Sequence, residues 1–341
     1  MRYLFFDIEC CDGKNICSFG YVITDADFNV LTKEDIIINP EAEFKLSRSG
    51  FDPNIKLAYD ESEFLKAEPF PFHYERIKEI LMDGNQIVCG HAVNNDAVFL
   101  KTACARYKLP QLSYYFADSQ KIYNMLGASV NFSLEKIAEH LKIELMNLHK
   151  SDDDAHLTML VVKNLCGILK LSLKEIIEIC PSVVANTQDG IIKKSNASSG
   201  KALKRLVKEI KIGEGIFCGK KIAFSEILEK HDTVKVWSII KEFTSKGGVY
   251  TNLADTADIF VRAKNVECKR MRSAKAAKAE IVDIFDFARR LEMDFSWFDF
   301  ESLKPKKTSI KTAATLGDML KERGIDLYAL ELDDNKTDKQ E

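Results

Sequence analysis

Residues 2–8, RYLFFDI, read as a buried strand that carries Asp7, with Glu9 directly after it. Asp7 and Glu9 stand two residues apart, and the two-residue period of a strand points both carboxylates to one face. Burying such a pair is costly unless a cation or hydrogen bonds compensate. Hard oxygen donors of this kind favour Mg²⁺ or Mn²⁺. Taken alone, the pair also fits a strand that stops at Asp7 and leaves both acids in a solvated loop.

Outward from this strand, residues 17–24 (CSFGYVIT) and 34–38 (EDIII) read as two more, with Asp25, Ala26 and Asp27 as a turn. Three strands in series predict an antiparallel meander. The spacing of Phe72, Ile77, Ile80 and Leu81 predicts a helix over 70–82. A short buried strand follows at 86–89, ended by Gly90, then a helix over 95–107 stopped before Pro110, and a strand at 114–117. Ser133 is a suitable N-cap for a helix over 134–142, and Ser151 or Asp152 for a long helix over 153–169. Strands alternating with helices after a meander predict an α/β fold, a mixed sheet with flanking helices.

The texture changes after Pro181. Residues 186–200 (NTQDGIIKKSNASSG) are polar and read as a linker, followed by a basic helix over 201–211. A second small α/β domain is then expected. Its strands fall at 216–224, 249–250, 259–262 and from 281, its helices at 234–246, 274–279 and up to 291, and Gly247-Gly248 follows the first helix. The expected organisation is a domain over 1–172, linker and basic helix over 173–212, a domain over 213–292, and a polar, partly disordered tail over 293–341. That tail holds Lys304, Lys306 and Lys307 and one weakly amphipathic piece at 316–330.

A chain of 341 residues suits about two domains, and 46% hydrophobic with 30% charged residues is an ordinary globular balance. No apolar run reaches the roughly 18 residues of a membrane span, so no membrane partner is expected. The apolar start is cut by Asp7 and lacks the form of a secretory signal. Nine cysteines with no C-x-x-C spacing read as buried free thiols of a reducing, cytoplasmic protein. The net charge of −3 is uneven: residues 1–160 hold 25 acids and 16 bases, the remainder 27 and 33. That asymmetry fits either compositional drift or an acidic, metal-binding half joined to a half that lies on phosphates.

Two further stretches complete a pattern with Phe6-Asp7-Ile8-Glu9. One is residues 91–96 (HAVNND), at a strand-to-helix junction; the other is 149–154 (HKSDDD), at a helix start. In this order they resemble the DEDDh branch of the DEDD exonuclease superfamily, the DnaQ-like polymerase III epsilon-subunit group, over about residues 1–170. Asp152, Asp153 and Asp154 are all chemically suitable ligands, and the resemblance selects Asp154 by its spacing from His149. Asn95 replaces a common aromatic and Ser151 a common alanine. The resemblance implies a ribonuclease H-like fold and 3′→5′ hydrolysis of phosphodiester bonds with two Mg²⁺ or Mn²⁺ ions. The metal ligands would be Asp7, Glu9, Asp96 and Asp154, with Asp7 bridging and His149 as general base. Asp152 and Asp153 read as helix-start acids, His91 as a loop-satisfying ring, and His140 and His156 as surface or supporting residues.

Residues 215–292 resemble a BRCT domain, through 219–224 (GKKIAF), Gly247-Gly248, 258–261 (DIFV) and 273–279 (SAKAAKA). Ser225-Glu226 stands where Thr-Gly is usual. The resemblance implies a small α/β module that docks replication or repair proteins. Lys264, Lys269, Arg270, Arg272, Lys275 and Lys278 form either a solvated face or phosphate contacts. Candidate phosphate-binding residues are Ser225, Lys275, Lys278, Lys204 and Arg205. The expected partner is nucleic acid, with DNA favoured over RNA by the BRCT-like analogy alone. The rivals are an RNA-trimming enzyme of the same branch and a non-catalytic DNA-end-binding scaffold. Residues 111–116 (QLSYYF) resemble a sliding-clamp docking peptide but fall where the fold needs a core strand.

Overall fold

β1 (Arg2–Cys10) lies inside the first sheet, with a strand on each side, and its alternation sorts the molecule into two sides. The computed structural model describes residues 1–44, 57–126, 132–145, 149–188, 191–194, 199–263 and 267–295, all within one compact unit, Met1–Phe298. β1 pairs antiparallel with β2 (Ile16–Thr24), and β2 with β3 (Val30–Ile37), which is the expected meander. Asp25 closes the β2–β3 turn by accepting the amides of Asp27 and Asn29, both at 2.9 Å. The chain continues through α1 (Glu61–Lys66), α2 (Phe70–Met82), β4 (Gln86–Gly90), α3 (Asn94–Arg106), β5 (Tyr115–Asp118), α4 (Ser119–Asn124) and α5 (Leu134–His140). Then come α6 (Ser151–Leu169), α7 (Leu173–Ile179), β6 (Val184–Gln188), β7 (Ile191–Lys194) and α8 (Ser199–Glu209).

The seven strands run in the order β3-β2-β1-β4-β5-β6-β7, with β1, β4 and β5 parallel and the rest antiparallel. Leu4, Phe6, Ile8 and Cys10 face one side and join the core beneath α2 and α3. Asp7 and Glu9 face the other side, where α6 crosses β1 and β2. Asp7 is paired with Gly20, and a Cβ on Gly20 would sit 2.0 Å from the amide nitrogen of Asp152. The absent side chain lets the first turn of α6 rest directly on the sheet.

The expected linker is largely folded. Its first part forms β6 and β7, which complete the sheet. The polar composition that reads as a loop is the alternation of an outer strand. Thr187 is buried, donating its hydroxyl to Leu112 O at 2.8 Å and accepting from Tyr114 N at 3.1 Å. Ser172 and Glu175 cap α7 reciprocally. Residues 189–190 and 195–198 of that stretch lie outside the described residues. So do Lys264 and the tail from 296, with Lys304, Lys306, Lys307 and the piece at 316–330.

The second sheet is built from β8 (Lys221–Phe224), α9 (Glu226–His231), α10 (Thr233–Ser245), β9 (Val249–Tyr250), β10 (Ile259–Arg262), α11 (Lys269–Ala276), β11 (Glu280–Asp283) and α12 (Ile284–Arg290). All four strands are parallel, in the order β11-β10-β8-β9. β8 is shorter than the strand expected over 216–224. Gly247 adopts φ +94, and a Cβ on Gly248 would meet the Phe243 ring at 2.1 Å, so this Gly-Gly lets the chain double back against α10. α10 packs on the C-terminal end of α6 and on α7. Ser238 donates its hydroxyl to Leu169 O, and Lys241 pairs with Glu175 at 2.8 Å. At 1.5 Å per residue, that contact lies roughly 27 Å along α6 from Ser151.

Among the described residues no single helix is long and apolar enough to cross a membrane. Seven cysteines are buried as expected, while Cys218 is exposed and Cys268 partly so. Leu112, Tyr114 and Phe116 are buried, so residues 111–116 cannot serve as a docking peptide in this fold.

Gly20→Ala is expected to destabilise the chain by ~1–3 kcal/mol, the usual cost of overpacking. The backbone it strikes cannot swing aside as a side chain would. An unchanged denaturant midpoint would show that the seat of α6 does not depend on Gly20.

Candidate active site

The ladder between β1 and β4 runs from Arg2↔Gln86 to Phe5↔Cys89 and then stops, while β1 continues with β2 to Cys10. Beyond that fork the Ile8 amide has no ladder partner on the β4 side. The chain leaves β4 at Gly90, turns through His91–Val93 and enters α3, which brings Asp96 under the fork. Asp96 Oδ1 accepts the Ile8 N–H at 3.1 Å. The turn is fastened by His91, whose Nδ1 lies 3.0 Å from Ser119 Oγ and Nε2 3.2 Å from Phe132 O, and by Asp118, which accepts the Ala92 amide at 3.2 Å. Ala92 adopts φ +50, a strained value for alanine that these contacts hold. His91 therefore satisfies the loop, as its sequence position implies.

The third stretch arrives from the other side of the sheet. α6 begins at Ser151 with Lys150 at its N-cap, so neither Ser151 nor Asp152 caps it as expected; the close seat on Gly20 draws Ser151 into the first turn. Asp152 and Asp153 pair with Lys33 on β3, and Asp152 also with Lys150 at 3.0 Å. Asp154 instead turns back and accepts the His149 N–H at 3.0 Å. His149 itself lies in the left-handed region at φ +63. The donor atoms of Glu9, His149 and Asp154 lie within 4.8 Å of one another, a spacing at which one ion can touch all three.

Electrostatics ties in the remaining carboxylates. Burial, with Asp96, Glu9 and Asp154 nearby, holds Asp7 well above the usual carboxylate range. Burial, then the charges of Asp154 and Asp96, pushes Glu9 up to about 8. Burial raises Asp96 to about 8 against the opposing Ile8 amide, and Asp154 to about 7 against the His149 amide. A divalent cation would relieve both the burial and the mutual repulsion, so the donor set fits a hard metal ion. The five residues read as catalytic from sequence are thus brought together at the carboxyl end of β1.

Sequence reading missed the supports around them. Glu135 on α5 places Oε1 3.9 Å from His149 Nε2. Ser18, Asp35, Tyr59 and Ser151 form a hydrogen-bonded group under the start of α6. Only strand register could reveal it, because Asp7, Gly20 and Asp35 form one row across β1, β2 and β3. The candidate phosphate residues fall elsewhere. Ser225, the N-cap residue of α9, is fully buried with its hydroxyl away from solvent, unlike a group on an open phosphate-binding face. Lys204 and Arg205 lie exposed on α8, Arg205 3.7 Å from Glu178; Lys275 is exposed and 3.4 Å from Glu267, and Lys278 is exposed just past α11.

Comparison with known proteins gives a match to one family model, DNA polymerase III subunit epsilon-like, C-terminal domain, over residues 28–165. That range is under half of the chain; it includes Asp96, His149 and Asp154 and begins after Asp7 and Glu9. No curated protein matches the sequence. Among solved structures, the fold is similar to a 3′-exonuclease described in 3′-end specific recognition of a histone mRNA stem-loop. The identity is 13%, with 58% of this chain and 71% of the other covered and a TM-score of 0.46. The nuclease domain of 3′hExo, a DEDDh family member bound to rAMP, is 16% identical over 49% of this chain and 92% of that one, TM-score 0.41. E. coli exonuclease I with a dT13 oligonucleotide is 18% identical over 48% and 41%, TM-score 0.38.

The raised carboxyls set the pH dependence of stability without metal. Between about pH 4 and 8 the folded chain keeps protons that the unfolded chain has released, so stability falls as pH rises through this window. In chelator, the unfolding free energy at pH 8 is expected on the order of 1–3 kcal/mol below that at pH 5, and Asp96→Asn should shrink the difference. Urea midpoints at the two pH values measure both, and an equal drop in the variant would show that Asp96 does not share in the raised acid cluster.

Proposed function

We propose that the chain is a DEDDh-type, metal-dependent 3′→5′ exonuclease acting on nucleic-acid ends. The observation that carries this reading is the convergence of Asp7, Glu9, Asp96, Asp154 and His149 at the fork of β1 and β4, from three separate stretches in the order the family requires. The family-model match over residues 28–165 supports it.

Asp7, Glu9, Asp96 and Asp154 would hold Mg²⁺ or Mn²⁺. When bound, two such ions supply Lewis acidity for the attacking water and positive charge for the leaving 3′ oxygen. His149 stands at the edge of this group and takes the proton of the attacking water on its imidazole. Glu135, 3.9 Å from Nε2, stabilises the imidazolium so formed. Asp154 does two jobs: one oxygen fixes the His149 backbone, leaving the other for metal.

The second sheet is read as a BRCT-like module, supported by its small α/β form, and is proposed to bind nucleic acid through exposed bases on α8 and α11. DNA is the proposed substrate, in replication or repair, and the free cysteines support a cytoplasmic setting. Because α10 meets α6 roughly 27 Å from the site, the basic residues would hold the substrate at a distance and leave the chemistry to the carboxylates.

The deciding assay compares labelled single-stranded DNA, frayed duplex DNA and RNA with Mg²⁺ or Mn²⁺. Preferential shortening of RNA from its 3′ end would replace the DNA reading by the RNA-trimming one. Binding of ends without hydrolysis would leave a scaffold. Asp7→Ala is expected to abolish hydrolysis. His149→Ala should lose about 10²–10⁴-fold and recover in part at high pH, where hydroxide replaces the base. An alanine variant at His149 within a few-fold of wild type at every pH would remove it from the mechanism. Replacing Lys204, Arg205 and Lys208 together by alanine should weaken DNA binding and flatten its salt dependence, by roughly 0.9 in slope for each phosphate that is no longer neutralised. Equal slopes would assign α8 to a solvated face.

A further inference from the structure

We propose that Tyr59 is a positioning residue for the catalytic histidine, its hydroxyl serving as the missing N-terminal cap of α6. The catalytic consequence rests on the exonuclease reading above; the capping itself does not.

A helix start needs acceptors for its first amides, normally from an N-cap side chain. Lys150 holds the N-cap position and carries no acceptor. The Ser151 amide is satisfied instead by Tyr59, 92 residues away in sequence, whose hydroxyl oxygen accepts it at 2.9 Å. Tyr59 donates its own proton to Asp35 Oδ2 at 2.6 Å. Asp35 Oδ1 accepts from Ser18 at 2.6 Å and from Ser151 Oγ at 3.0 Å. Burial and the neighbouring Asp35 push the Tyr59 phenol up, so it stays a neutral donor. Next to it, the Ala58 amide donates to His149 O at 3.1 Å. The His149 peptide is therefore gripped on both sides: its carbonyl by Ala58 and its N–H by Asp154. These bonds hold a backbone at φ +63, a left-handed conformation uncommon for residues other than glycine.

The grip is anchored outside the main core. The Tyr59 ring packs on Phe64 at 5.0 Å, within a cluster that includes Cys11 and Cys17. This cluster fixes the ring, and the hydroxyl alone reaches the helix start. Removing the hydroxyl while keeping the ring should loosen the His149 turn and leave the fold intact. A displacement of about 1 Å at a catalytic group can cost about 100-fold in rate.

The test uses the full chain with Tyr59→Phe, and with Ile77→Val as a control that loosens the main core and leaves the Tyr59 cluster untouched. Tyr59→Phe is expected to keep a Tm within a few degrees of wild type and to lower kcat about 10–100-fold with little change in KM. Amide hydrogen exchange at Ser151 should accelerate in the same variant. Ile77→Val should lower Tm and leave kcat near wild type. If Tyr59→Phe fails to fold, Asp35→Asn, which loosens the same hydroxyl, carries the same expectations. Wild-type kcat in Tyr59→Phe overturns the positioning role, and unchanged Ser151 protection overturns the cap. Should the wild-type chain hydrolyse no nucleic acid, the exonuclease reading fails, and with it the catalytic part of this proposal. Exchange at Ser151 then still decides the cap, its acceleration in Tyr59→Phe supporting it and its persistence overturning it.

Discussion

The close seat of α6 on the strand pair β1–β2 is the contact on which the rest of the site depends. Gly20 lies between Asp7 and Asp35 in one row across the sheet, and the backbone of Ser151 and Asp152 occupies the space its side chain would fill. That approach brings Asp154 and the His149 turn over a strand already carrying Asp7 and Glu9. It also buries these acids and brings their charges together, and burial first, then the neighbouring charges, raises the four carboxyl groups. Packing and hydrogen bonds hold the acids there against the cost of burial and mutual repulsion.

Two devices divide the surplus acids of the α6 start. Asp152 and Asp153 turn towards Lys33 and Lys150, where they are neutralised and favoured by the helix dipole. Asp154 is turned the opposite way by the His149 amide. Three adjacent residues of one type thus take different roles, because a helix advances each by about 100° around its axis. The Ile8 amide performs the matching service for Asp96, where the β1–β4 ladder opens. Both acids that come from outside β1 are aimed by a backbone N–H, a donor fixed by the fold and not by side-chain rotamers.

The second sheet joins the rest of the compact unit at the far end of α6, through Ser238, Lys241 and Glu175, with α8 against α7 and α10. A segment that composition assigns to a linker is in fact the outer strands β6 and β7 and a capped helix. Polar residues at every second position satisfy an outer strand as well as a loop, and only the partner strand distinguishes them. Here Thr187, bonded to Leu112 and Tyr114, makes that distinction.

What the sequence determined by itself is local or periodic. The two-residue spacing of Asp7 and Glu9 placed both on one face, the Asp25 turn set the meander, and Ser133 capped its helix. The likeness of three stretches to one family selected His149 and Asp154 among several acids and histidines. The tertiary structure decided everything that rests on register and approach. Ser225 looked like a surface phosphate contact and is buried, because burial depends on what packs over a residue. Tyr59, Asp35 and Ser18 carry no motif, yet they hold the helix start, because they meet only when β2, β3 and α6 come together. A chain's spacing fixes which way a side chain points along its own element; which groups it finds there is fixed by the elements that fold against it.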